Sequence, residues 1–425
     1  MYSVSRLRRP LVFLHRWAGL VMAVFLIVEG ITGSLLAFRA DLTGIFDPGL
    51  VATPPYPGAK LLSAGELAAH ADAILWPEAR VGYFFLTGET GQQIMRVGPR
   101  LNPNTGKPYA IDYGILFLDP WTGREMGRMP FDRYTGNLLH DIMPFVYDLH
   151  IALAMGGNGA WLLGIVALVW TIDCFVGFYL TLPVKHESLW RRWKPSWLIK
   201  WPSSAFRLNF DLHRAGGLWL WALLFVFAWS SVNLTLFSVY EGVTGALFDY
   251  ETAEQEFGSL PQHAPEVPPR LGWMEAQMRG DEIMSAIAKS DGFQIVAPAT
   301  FAYFGGNGIY SYEVRTTRRF PHFENLGIYF DGDTGKLVRT LHPDGEHLGN
   351  TITNWLRALH MVSDPVGSIY YRVIIFIFGL LLPGIAGTGV YIWWKKRGAR
   401  LQRTWTRIGI PTASRFGKTI PHDHV

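Results

Sequence analysis

Four histidines carry the chemistry that stands out in this chain. Leu14-His15-Arg16-Trp17-Ala18-Gly19-Leu20 leads into one apolar run, and Leu212-His213-Arg214-Ala215-Gly216-Gly217-Leu218 leads into another. Leu149-His150 and Leu359-His360 each stand shortly before a further apolar run. Neutral imidazole is a good ligand for iron, zinc and copper. Four of them at matched places in two halves suggest two metal or haem sites, each taking one ligand from each half.

The elements that must position these histidines are membrane helices. Charged residues make up 17% of the 425, where a soluble domain carries about 25%. Four stretches reach the ~20 apolar residues a span requires: Leu11–Phe38, Ala160–Leu182, Leu218–Tyr240 and Val373–Trp394. Half of the 38 Lys and Arg residues flank them on one side, before the first span, between the second and third, and after the fourth. By the positive-inside rule both termini and the middle loop are cytoplasmic, and the two long loops are outside. The basic excess thus reports topology and not nucleic-acid binding. The N-terminal arginines and apolar run imitate a signal peptide, but the run is too long and lacks a small-residue cleavage site, so it reads as an uncleaved span. The single cysteine, Cys174, allows no intrachain disulfide, and no Cys-x-x-Cys-His motif is present for covalent haem attachment.

The chain reads as a tandem duplication of Leu-His-Arg, span, outer domain, Leu-His, span. Its segments are a first span (11–38), an outer module (39–143), a short His150 helix with the second span (144–182) and a basic loop (183–214). The third span (215–240), a second outer module (241–350), the His360 helix with the fourth span (351–394) and a basic tail (395–425) follow. Phe117-Leu118-Asp119-Pro120-Trp121-Thr122-Gly123 matches Tyr329-Phe330-Asp331-Gly332-Asp333-Thr334-Gly335, each reading as strand, tight turn and strand. Helical patterns at Ala64–Leu75 and Met274–Lys289 precede alternating segments at Tyr83–Leu86, Gln93–Val97, Ile309–Val314 and Leu326–Phe330. One small α+β module per loop is the economical reading. Gly177 and Gly387 occupy matching places in the second and fourth spans. Pro144–Ala154 reads as a short helix with proline near its first turn, broken by Met155-Gly156-Gly157-Asn158-Gly159. Thr351–Met361 repeats it, broken by Ser363-Asp364-Pro365. His150 and His360 then sit at the outer membrane face and His15 and His213 at the inner one, separated by most of a ~30 Å hydrocarbon core.

Two imidazoles per layer suit a b-type haem, an apolar disc that a helix bundle solvates well and whose iron takes ligands above and below. His15 pairs with His213 and His150 with His360. Arg16 and Arg214 are placed to meet haem propionates, or serve only as topology signals. Gly19 and Gly217, four residues past the inner histidines, share their helix face and leave room for a flat ring. Zinc fits less well, for want of cysteine or carboxylate at ligand spacing. His140, His342 and His347 lie in the outer domains near the membrane, and His422 and His424 in the tail. Glu29 and Asp173 are acids inside spans. Glu29 either carries a proton or bonds a haem-site group, and the alternative reading is a buried acid paired with a polar neighbour such as Asn233 or Thr171. The interfacial Trp17, Trp190, Trp193, Trp197, Trp393 and Trp394 read as an aromatic belt.

The paired Leu-His-Arg-x-x-Gly-Leu motifs, the paired Leu-His motifs and the Asp-x-x-Thr-Gly hairpins together resemble the PepSY-associated transmembrane family, which includes bacterial inner-membrane ferric-siderophore reductases of the ferrioxamine-reductase type. The resemblance runs from His15 to about Trp394. It implies four transmembrane helices with two periplasmic α+β PepSY-like modules and two non-covalent b-type haems. It implies as ligands His15, His213, His150 and His360, and as activity the reduction of a ferric siderophore with release of ferrous iron. The expectation is therefore an oxidoreductase of the bacterial inner membrane, fed by a cytoplasmic or quinol donor and embedded in lipid. Tyr147, Trp355, Arg357, Tyr370 and Arg372 are candidate docking groups by position. A quinol-linked cytochrome serving another acceptor, a non-redox regulatory membrane protein and a transporter of intact siderophore are the rival readings.

Overall fold

The computed structural model describes residues 3–86, 91–129, 134–184, 188–263, 267–317, 325–342, 346–361 and 369–407. The expected break at Ser363-Asp364-Pro365, and His422 and His424 of the tail, lie outside the described residues. In chain order the elements are α1 (Ser3–Leu36), α2 (Arg39–Phe46), α3 (Ala64–Ile74), β1 (Ala79–Phe85), β2 (Gln93–Pro99), β3 (Ile115–Leu118), β4 (Glu125–Met129), α4 (Leu138–Ala152), α5 (Gly156–Thr181), α6 (Leu189–Trp193), α7 (Ala205–Trp219) and α8 (Trp221–Thr235). The rest are α9 (Phe237–Leu247), α10 (Ala253–Gly258), α11 (Trp273–Asp291), β5 (Ile295–Phe304), β6 (Ile309–Thr316), β7 (Leu326–Asp331), β8 (Leu337–Leu341), α12 (Leu348–Met361) and α13 (Ile369–Arg407). They form two compact units. One holds Met1–Ile31, Leu162–Trp229 and Ile377–Val425, the other Thr32–Trp161 and Ser230–Phe376.

The first unit is helical and apolar. Among the described residues three helices are long and apolar enough to cross a membrane, within Leu7–Leu36, Gly156–Thr181 and Ile369–Arg397. The third expected span, Leu218–Tyr240, is not one straight helix. α7 and α8 meet at Leu220 with a bend of 67° and together make a fourth span only as a bent pair. Gly216 and Gly217 stand just before the bend, and paired small flexible residues are a common cause of sharp kinks. Cys174, Leu224, Ala228, Phe378 and Leu382 form the unit's buried core, with the Phe227 and Phe378 rings 4.8 Å apart. α1 and α13 cross closely at Gly30, where an added Cβ would lie 2.5 Å from the Gly379 carbonyl oxygen.

The second unit is built on one antiparallel sheet in the order β4-β3-β2-β1-β5-β6-β7-β8. Each long loop supplies a four-stranded meander preceded by a helix, α3 before β1–β4 and α11 before β5–β8. The two meanders join through β1 and β5, with Phe84 opposite Phe301. Pairing these strands buries an edge that each meander would otherwise leave exposed to aggregation. α3 and α11 cover the same core, in which Leu67, Ala68, Ala276 and Met284 pack on Phe84, Met95, Leu116, Phe301, Tyr312 and Phe330. Both expected hairpins form, by the same device. Asp119 Oδ1 accepts from the amides of Trp121 and Thr122, and Asp331 Oδ1 from those of Asp333 and Thr334. Gly123 and Gly335 then turn through φ +70° and +65°, a region a side chain would strain.

The helices carrying the second pair of histidines form as expected, with longer starts. α4 begins at Leu138, so Pro144 lies in its interior and not near its first turn. Left-handed Leu153 and Ala154 end it, and Gly156 at φ +59° opens α5, so Gly156-Gly157-Asn158-Gly159 of the expected break are helical.

Candidate functional site: two histidine pairs

Each unit brings two histidines together, and the partners are those the sequence pairs. In the helical unit His15 of α1 and His213 of α7 have ring centroids 6.1 Å apart with planes at 53°. In the sheet-bearing unit His150 of α4 and His360 of α12 have centroids 6.4 Å apart with planes at 58°. Two imidazoles bound to one metal through Nε2 would have centroids ~6.2 Å apart. That is two metal–nitrogen bonds of ~2.0 Å plus ~1.1 Å from each nitrogen to its ring centre.

The other ring nitrogen is held in all four. His15 Nδ1 lies 2.9 Å from both carboxylate oxygens of Asp173 on α5. His213 Nδ1 lies 3.1 Å from the Ile385 carbonyl oxygen and 3.2 Å from the Thr388 hydroxyl on α13. His150 Nδ1 meets the Thr32 hydroxyl at 2.9 Å, and His360 Nδ1 the Ser230 hydroxyl at 2.7 Å. Metal-bound histidines are typically fixed in this way: Nδ1–H donates to an oxygen, which selects the tautomer with Nε2 as ligand. Burial, with His150 beside it, pushes His360 down to about 3, so this ring is neutral at ordinary pH.

Glycines let neighbouring helices close on three of the rings. An added Cβ would lie 3.4 Å from His15 Cε1 at Gly177, 3.1 Å from His213 Cε1 at Gly389, and 3.1 Å from His150 Cε1 at Gly33. Gly387, which the sequence matches to Gly177, meets nothing within 4 Å, so the counterpart of Gly177 against its histidine is Gly389. Gly19 and Gly217 also have nothing within 4 Å of an added Cβ, which leaves open space on the face of α1 and α7 that carries His15 and His213.

Two buried cationic atoms point to an anion at the first pair. Arg16 Nε and Arg214 Nε are both buried without an acceptor among the described residues. Arg16 stacks between Phe13 and Trp17, 5.5 Å from each ring. Arg214 is more committed, since its Nη2 donates to Asp211 at 2.8 Å and to the Pro195 carbonyl at 2.7 Å. A haem propionate would supply what both Nε atoms lack. The donor set, the ring spacing and these orphaned donors fit a bis-imidazole haem.

The remaining candidates divide. Asp173 belongs to the first pair, a role the sequence did not assign to it. Thr171 and Asn233 have other bonds, to the Ala167 carbonyl and from Arg357. His140 bonds to Asp47, and His347 to Asp249 at 2.8 Å, which pin the starts of α4 and α12 to the ends of α2 and α9. The Asp249 contact holds His347 above the usual imidazole value, and Arg339 holds the adjacent Glu251 below the usual carboxylate value. His342 follows β8. Among the described residues none of these three converges with other ligands into a metal cluster of three or more. Of the docking candidates, Arg357 donates to Asn233, and Arg372 donates to the Ala37 carbonyl and pairs with Asp41. Tyr147 carries Arg39 on its ring at 4.6 Å, Trp355 lies on α12, and Tyr370 is 79% exposed.

Sequence reasoning missed Thr32, Ser230, Thr388 and Gly389. Thr32 and Ser230 stand 17 residues past His15 and His213 respectively, so the repeat itself marked them. No curated protein matches the chain. The family model of the PepSY-associated TM region matches residues 12–396, and the chain belongs to that family.

Proposed function

We propose that the protein is a transmembrane electron conduit that holds two non-covalent b-type haems and reduces a ferric siderophore on the periplasmic side of a bacterial inner membrane. The observation that carries this reading is the fixing of all four Nδ1 atoms around two ring pairs at a common-metal spacing. Bound there, each haem would supply a one-electron ferric/ferrous couple held by two imidazoles, suited to passing electrons. His15 and His213 would hold one haem at the cytoplasmic face, with Arg16 and Arg214 on its propionates. His150 and His360 would hold the other at the periplasmic face. The basic flanks support that topology, and the repeated order of helix, strands and histidine helix supports a tandem duplication carrying two PepSY-like modules. Hard oxygen chelators hold ferric iron far better than ferrous iron, so one electron delivered to such a chelate loosens the metal.

The test is optical. The protein purified in detergent from haem-replete cells should show a b-type spectrum that changes on dithionite reduction, and the reduced form should be reoxidised by ferric siderophores in stopped flow. A colourless preparation would refute the reading. A red protein that ferric chelates do not oxidise would refute the substrate.

A further inference from the structure

The Nδ1 partners of the four histidines differ in kind. His15 is backed by a carboxylate, with both Asp173 oxygens at 2.9 Å. The Nδ1 partners recorded for His213, His150 and His360 are a carbonyl and hydroxyls. Asp173 is 9% exposed. It lies one helical turn before Gly177, the residue against which the His15 ring packs, so one face of α5 both seats the imidazole and backs it.

Resting on the di-haem reading, we propose that Asp173 is a positioning residue that lowers the redox potential of the His15/His213 site. Two effects act in the same direction. A carboxylate that accepts Nδ1–H makes Nε2 a more basic, more electron-donating ligand, which stabilises ferric over ferrous iron. A buried negative charge near the metal also favours the more positive oxidation state, with an attraction that low dielectric strengthens. Asp173 contacts His15 and neither substrate nor the reacting atoms, so its role is one of positioning and charge.

The experiment is spectroelectrochemical titration of the intact protein in detergent, wild type against Asp173→Asn and Thr388→Asp. Asn keeps an acceptor for Nδ1–H and removes the charge. Asp173→Asn should retain both haems and raise one midpoint, increasing the ferrous-to-ferric ratio of that haem about tenfold at fixed potential, or ~59 mV for a one-electron couple, with the second midpoint unmoved. Thr388→Asp puts a carboxylate near His213 Nδ1 and should lower the same midpoint. It keeps the proposal testable should Asp173→Asn lose its haem. An unchanged midpoint in a variant that keeps both haems, or a shift of opposite sign in either, would overturn the proposal, since a merely structural role moves no potential. A wild-type protein without haem would instead overturn the functional reading beneath it.

Discussion

Phe301→Ala tests whether the two long loops are one folded body. Phe301 is fully buried on β5 at the junction with β1. Its ring lies 5.1 Å from Trp273, 5.5 Å from Tyr312, 5.6 Å from Tyr310 and 6.2 Å from Phe84. Removing a buried phenylalanine typically costs 3–5 kcal/mol in lost transfer energy and residual cavity, and aromatic pairs add to this. About 4 kcal/mol is a fair value here, which is roughly a 10³-fold rise in the opening equilibrium at 1.4 kcal/mol per tenfold. Amide hydrogen exchange on the full chain in detergent reads that opening by segment. Because β1 and β5 are partners in one sheet, protection of β2 and β3 in the first loop and of β6 and β7 in the second should fall together. Loss confined to β5–β8, with β1–β4 unchanged, would refute the single-sheet account.

Gly389→Val should displace His213, because the added Cβ alone would lie 3.1 Å from its Cε1. The expected result is loss of one haem with the other retained, read as haem per protein. The tether at the start of α12 should depend on pH with a defined sign. The raised His347 contributes stability in full below the ordinary imidazole value, and loses it as pH rises through its elevated one. The lowered Glu251 contributes above the ordinary carboxylate value, and loses it as pH falls through its depressed one. The excess protection of α12 in wild type over His347→Ala should therefore shrink as pH rises above the ordinary imidazole value of 6.5, and that of β8 over Glu251→Gln should shrink as pH falls below the ordinary carboxylate value of 4.5. Differences constant with pH would contradict both assignments.

Much of this was legible in the sequence because the repeat states it twice. The doubled Leu-His-Arg and Leu-His motifs select the four histidines and pair them as the structure does. The doubled Asp-x-x-Thr-Gly motif carries its own turn chemistry, since an Asp side chain caps the amides two and three residues on. What was not legible depends on long-range pairing or helix geometry. The β1–β5 junction joins strands about two hundred residues apart, and nothing within either loop names its partner. The bend at Leu220 interrupts a run whose composition alone reads as one span. Gly387 matched Gly177 by offset, yet Gly389 faces His213, because the bond to the Ile385 carbonyl and the Thr388 hydroxyl fixes where that ring sits. Asp173 was visible as a costly acid in a span, but its partner was not.

The central claim is that each ring pair holds one haem. Haem per protein, measured in wild type and in His15→Ala, His213→Ala, His150→Ala and His360→Ala, tests it most directly. The account predicts two in wild type and one in every variant, with the same surviving spectrum after either change in a pair and a different one between pairs. No haem in wild type, or loss of both from a single change, would contradict it.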